Sequence, residues 1–171
     1  LESVVENIPD MIFVKDAEEL RFVRINSAGE ALLGISKSEL MGKNDADFFP
    51  SDQAAFFIAK DREVLETGRL VDIAEEPIQV RGGGLCFLHT KKIPIFGTDD
   101  KPHFLLGISE DITELKKTKE DAAKTAHDLF ETNTRLELVQ AELHALLSGF
   151  PGAMWTTDAD LNIVSSGGAR R

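Results

Sequence analysis

Tyrosine is absent from the 171 residues, cysteine occurs once, and no stretch reaches eighteen consecutive apolar residues. Each shortage closes a class. A single cysteine, Cys86, cannot form an intramolecular disulfide, which removes the disulfide-stapled secreted scaffolds and suits a reducing compartment, so a cytoplasmic location is expected. Without a long apolar run, or a basic region leading into one, neither a membrane span nor a signal peptide is expected within these residues. Basic residues are the other scarcity. The 19 Lys and Arg stand against 30 Asp and Glu, a formal net charge of −11, which repels nucleic acid and anionic membrane. The nearest basic cluster, Lys116, Lys117 and Lys119, is interspersed with Glu114, Glu120 and Asp121 as a mixed solvated helix face, so no nucleic-acid partner is expected.

What is present suffices for one hydrophobic core with an appendage, since 42% of the residues are hydrophobic. Two short apolar segments, Met11 to Val14 and Arg21 to Ile25, flank Asp16-Ala17-Glu18-Glu19 and predict a hairpin that opens a sheet. Helical texture follows. Ala31 to Leu33 ends at Gly34, Ser36 to Leu40 ends at Gly42, and Ser51 to Thr67 ends at Gly68, each glycine suited to a left-handed cap. Ser51 or Asp52 is the expected N-cap of the longest piece. Strand pattern then returns over Leu70 to Val80, Leu85 to Phe96 and His103 to Ile112, with turns at Gly82-Gly83-Gly84 and at Thr98 to Lys101. Two strands, short helices and three more strands predict an α+β domain, an antiparallel sheet with helices on one face.

Between Ile112 and Gly149 the chain has no glycine or proline, and its Lys, Glu, Ala, Leu and Thr favour one continuous helix. Leu115, Ala122, Leu129, Leu136 and Leu143 recur every seven residues, the pattern of a supercoiled dimer seam. The companion seam is weaker, either Thr118, Thr125, Thr132, Val139 and Leu146 or Lys119, Ala126, Asn133, Gln140 and Leu147. That pairing suits a dynamic coiled coil; the alternative is a single helix lying along the sheet. Past the helix the opening of the chain repeats: Ile8-Pro9-Asp10 through Asp16-Ala17 aligns with Phe150-Pro151-Gly152 through Asp158-Ala159. A repeat of this kind indicates tandem modules. The expected organisation is therefore an α+β domain over 1–113, a helix over 114–148, and the start of a second, truncated domain over 149–171.

These landmarks resemble the PAS family of bacterial sensor kinases and related regulators. Gly107-Ile108-Ser109-Glu110-Asp111-Ile112-Thr113-Glu114 is similar to the family's C-terminal strand ending, and Leu88 to Ile95 resembles its penultimate strand. Asp61 to Gly68 resembles the end of its long helix, and Asn26 to Gly34 its second strand and first helix. The resemblance implies a five-stranded antiparallel sheet in the order 2-1-5-4-3, helices enclosing a pocket on one face, and a relay through Asp111 and Thr113 to the following helix. The seven-residue seam leads to a homodimer, and the internal repeat to further PAS or output domains of the same protein as partners. Kinase, cyclase and transcriptional outputs are all open.

The search for chemistry returns little. A flavin-binding relative would need a reactive cysteine in an Asn-Cys-Arg-Phe-Leu-Gln type motif after the first two strands, and Cys86 sits in a strand instead, as a small hydrophobe. The long helix offers no haem-ligating histidine, so neither flavin nor haem is expected. His89, His103, His127 and His144 show no ligand spacing with further Cys or His, which predicts no metal site. No nucleophile, base and orienting group occur together, so no catalytic residue is expected. Glu75 and Glu76 could face Lys91 and Lys92 across the glycine turn, with a surface ladder as the default. Phe13, Phe56, Phe57, Phe87, Phe104 and Leu106 are the candidates for an apolar pocket that would take a small apolar or metabolite ligand. A sensory and dimerisation module is the first reading, and a ligand-free interaction scaffold with a solid core is its rival.

Overall fold

The computed structural model describes residues 2–148 and 154–167. They form α1 (Glu2–Glu6), β1 (Met11–Asp16), β2 (Phe22–Ile25), α2 (Ser27–Leu33), α3 (Lys37–Leu40), a 3₁₀ turn (Asp45–Asp47), α4 (Ser51–Thr67), β3 (Val71–Gln79), β4 (Leu85–Phe96), β5 (Pro102–Asp111), α5 (Thr113–Ser148), β6 (Met154–Thr157) and β7 (Ile163–Gly167). The five strands of the first unit are ordered β2-β1-β5-β4-β3, all neighbours antiparallel, the order that the resemblance implies. Among the described residues no helix is long and apolar enough to cross a membrane.

Strand alternation sorts the side chains. Met11, Phe13 and Lys15 of β1, Leu88, Thr90 and Lys92 of β4, and Leu105 and Ser109 of β5 are buried. Against them pack Leu33, Leu40, Phe57 and Val64 from the helices, closing a core that also holds Phe22, Ile25, Ile35 and Ile78. Gly107 is demanded by this packing: a Cβ there would stand 2.1 Å from the Phe13 ring, so only glycine lets that ring cross β5.

Helix ends follow local chemistry. Asn26 caps α2 by accepting from Gly29 N at 3.0 Å, while its amide group reaches the carbonyls of Val5, Ile8 and Asp10 and fastens the N-terminal segment. Gly34 and Gly68 adopt the left-handed caps expected of them. Two expectations need correction. The N-cap of α4 is Pro50, with no side-chain cap, and Ser51 is already helical. The C-cap of α3 is Met41; Gly42 follows it, with its N–H bonded to Phe22 O at 2.9 Å. The 3₁₀ turn, capped by Asn44, was not expected, because it is too short to carry a period.

The chain divides into two compact units, Leu1–Lys117 and Thr118–Arg171. No residue of α5 is buried, and Leu115, Leu129, Leu136 and Leu143 are 52–65% exposed. β6 and β7 pair as an antiparallel hairpin in the position that the sequence repeat assigns to a second β1–β2. The repeat's opening, Phe150 to Ala153, lies outside the described residues, as do 149 and 168–171.

Candidate functional site

Alternation that delivers apolar side chains to the helix-covered face also delivers two lysines. Lys15 is the third inward residue of β1 and Lys92 the third of β4, and both are almost wholly buried. Their partner comes from α4, where Asp61 shares a face with Phe57 and Val64 at helical spacing. One carboxylate serves both ammonium groups: Asp61 Oδ2 accepts from Lys15 Nζ at 2.7 Å, and Oδ1 from Lys92 Nζ at 2.6 Å. Lys15 also donates to Asp45 Oδ2 of the 3₁₀ turn at 2.5 Å and lies over the Phe22 ring at 4.7 Å. Burial alone would push the Lys15 ammonium down, but Asp61 and Asp45 together hold it above its ordinary range. Burial likewise raises Asp61, yet the two lysines outweigh it and keep the carboxyl below its usual value. At Asp45 burial wins, seconded by Asp61, and the carboxyl lies above its usual value despite Lys15.

Glu76 completes the cluster through an irregularity. The β3–β4 register shifts between Ile73 and Glu76: Ile73 faces Thr90 while Glu76 faces Leu88, so β3 carries one extra residue. The bulge turns Glu75 outward and Glu76 inward. Glu76 Oε2 accepts from Thr90 Oγ1 at 2.6 Å; because that spends the only Thr90 proton, Ser109 must donate across the 2.9 Å Thr90–Ser109 contact. Glu76 Oε1 has no hydrogen-bond partner, and Lys92 Nζ stands 3.9 Å away. Glu76, Ser109, Lys92, Lys15 and Asp45 line a cavity of about 30 Å³, whose apolar wall includes Met11, Phe13, Phe57 and Leu88.

Of the six apolar residues expected to line a pocket, Phe13 and Phe57 do so. The others do not. Phe87, Phe104 and Leu106 alternate onto the opposite sheet face, and Phe56 projects from α4 with 41% exposure. The surface ladder is corrected as well, since Glu76 and Lys92 are interior and Glu75 pairs instead with Lys116. The buried charges were legible in principle: a lysine in phase with an inward apolar set, on two strands, is the signal. His89 meets Asp72 and His103 meets Asp99 on the surface.

At the strand-to-helix junction, Asp111 Oδ1 accepts from Thr113 N at 2.9 Å and from Thr113 Oγ1 at 2.5 Å. The Thr113 hydroxyl in turn accepts from Phe87 N at 2.9 Å, and Ile112 N donates to Phe87 O at 2.9 Å. One turn later Lys116 lies 3.9 Å from the Phe87 ring centroid and pairs with Glu75. The first turn of α5 is thus tied to β4 by backbone and hydroxyl, and to β3 by charge.

Comparison with known proteins agrees with this architecture. The chain is 28% identical over 152 residues to the aerobic respiration control sensor protein ArcB of Escherichia coli, covering 89% of this chain and 19% of ArcB. It is 30% identical over 115 residues to the methanogenesis regulatory histidine kinase FilI of Methanothrix harundinacea, covering 67% of this chain and 13% of FilI. It therefore spans less than a fifth of either relative. Among solved structures, the Vibrio cholerae VqmA dimer superposes with a TM-score of 0.59 at 25% identity, covering 66% of this chain and 50% of that one, and VqmA has also been solved bound to DPO. Residues 5–117 match the family model described as PAS fold, so the strand order, the Asp-Ile-Thr ending and the helix-covered face have one explanation: the chain belongs to the PAS family.

Proposed function

We propose that this chain is the sensory and dimerisation module of a signal-transduction protein, passing the state of its pocket or sheet through Asp111 and Thr113 to a helical linker. One observation carries the reading. Glu75 and Glu76 are neighbours on opposite faces of β3, one paired with Lys116 on the first turns of α5 and the other lining the cavity. A rotation of the bulge that satisfies one carboxylate must move the other, so the interior and the helix are mechanically joined. Two copies would pair along Leu115, Ala122, Leu129, Leu136 and Leu143, whose exposure supports a partner helix. VqmA is a dimer of the same fold, which lends the homodimer further support. The chain carries neither flavin nor haem, acts in the cytoplasm, and feeds a second PAS domain that begins over residues 149–171. It is not itself catalytic; a histidine kinase or other output belongs to the rest of the protein.

The scaffold reading has an observation of its own. A cavity of about 30 Å³ is an order of magnitude below the roughly 300 Å³ at which ligand pockets begin. Sedimentation of the chain and of Leu129→Asp/Leu136→Asp separates helix pairing from other modes of association. The sensory module gives a dimer that the double variant dissolves with the PAS fold intact. An unchanged dimer would move the contact to the sheet and remove the helical relay.

A further inference from the structure

Within the sensory reading, the buried ion cluster has one feature that internal pairing leaves unmet: Glu76 Oε1, on a side chain 5% exposed, has no hydrogen-bond donor. The nearest cation, Lys92 Nζ, stops at 3.9 Å because it is held by Asp61 Oδ1 at 2.6 Å. A carboxylate oxygen this deeply buried requires a donor, and the neighbouring ammonium, with protons to spare, offers a donor to any acceptor beside it. Both side chains line a cavity of about 30 Å³, room for about two or three water molecules.

We propose that this cavity is a binding site for a small neutral molecule carrying a hydrogen-bond donor and an acceptor on adjacent positions, the head group of a primary amide. The donor N–H goes to Glu76 Oε1 and the carbonyl oxygen accepts from Lys92 Nζ, while the short apolar body lies against Phe13, Phe57 and Leu88. Charge selects the class. A cation would meet the ammonium groups of Lys15 and Lys92, an anion would meet Glu76 and Asp45, and a molecule with only an acceptor would leave Glu76 as it is. A longer body enters only if Met11, an unbranched and adaptable side chain on the cavity wall, turns aside.

Four probes of equal size test the proposal: acetamide, acetone, acetate and acetamidinium, each titrated into the isotopically labelled full chain and followed by amide and methyl chemical shifts. Acetamide saturates in the millimolar range that four non-hydrogen atoms can supply, shifting Leu88, Thr90 and Ser109, and the other three bind more weakly. In Glu76→Gln the acetamide affinity falls about fivefold, because a neutral acceptor replaces a charged one; Glu66→Gln, on the exposed side of α4, leaves it unchanged. Tighter binding of acetamidinium, equal response to acetone, or no saturable shift with any probe overturns the proposal, the last meaning that the cavity holds water only. The wild-type ranking needs no variant to fold. Failure here leaves the dimer and relay untouched, since sedimentation of Leu129→Asp/Leu136→Asp reads those without any ligand.

Discussion

Asp61 bonds two buried ammonium groups, so removing its charge leaves Lys92 with Glu76 alone, at 3.9 Å. Asp61→Asn is expected to destabilise by ~3–5 kcal/mol, the usual cost of breaking one member out of a buried ion network. Asp45→Asn costs less, because burial already makes ionised Asp45 expensive. Their pH dependences have opposite sign. The folded value of Asp61 lies below its ordinary 3.8, so its contribution is present above pH 3.8 and lost as pH falls through the folded value; the stability gap between wild type and Asp61→Asn narrows in acid. The folded value of Asp45 lies above 3.8, so stability from this group is greatest below 3.8 and declines as pH rises through the folded value; Asp45→Asn removes that decline. Urea unfolding of the three proteins across the acidic range reads both. A result with both gaps moving in the same direction would show the assigned shifts to be wrong. Gly107→Ala tests packing apart from charge: the new methyl meets the Phe13 ring and should cost ~1–3 kcal/mol, measured by thermal unfolding. At this scale the sequence showed Phe13 and Phe57 and hid Lys15, Asp61 and Lys92. Residue type argued for the surface in those three, and only their phase with buried neighbours argued otherwise.

Elements were more legible than residues because they rest on period and punctuation. The glycine turns, the meander of β3 to β5 and the long run of α5 are each signalled by several residues at once. The β3 bulge was not, since one inserted residue leaves hydrophobicity almost unchanged while reversing which of Glu75 and Glu76 faces inward. Phe87, Phe104 and Leu106 face outward for a separate reason: hydrophobicity marks both faces of β4 and β5, and the glycine and polar residues among Gly107, Ser109 and Thr90 belong to the inner one. The junction gives an element-scale prediction. Thr113→Val keeps the shape of the side chain but removes the acceptor for Phe87 N and the donor to Asp111 Oδ1. Amide exchange at Phe87 and over the first turn of α5 should accelerate while the inward face of β1 is unaffected. Equal acceleration throughout the sheet would make Thr113 an ordinary stabilising cap with no part in a relay.

For the whole molecule, an interior of paired charges is joined to a mostly polar helix that exposes Leu115, Leu129, Leu136 and Leu143 at seven-residue spacing. A second copy would cover that line, and in the proposed dimer the threonines or the asparagine of the companion seam would keep the pairing open to change. Between interior and helix stand two physical links, Thr113 on β4 and Lys116 on Glu75 of β3. The most direct test is hydrogen exchange on the full chain with Glu76→Gln beside wild type, because that substitution alters a side chain facing the cavity and touches nothing on α5. The account predicts altered exchange in β3 and β4 together with the first turns of α5, from Thr113 to Lys117, and none in α2 or α3. Altered exchange confined to β3 and β4, with α5 unchanged, would contradict it.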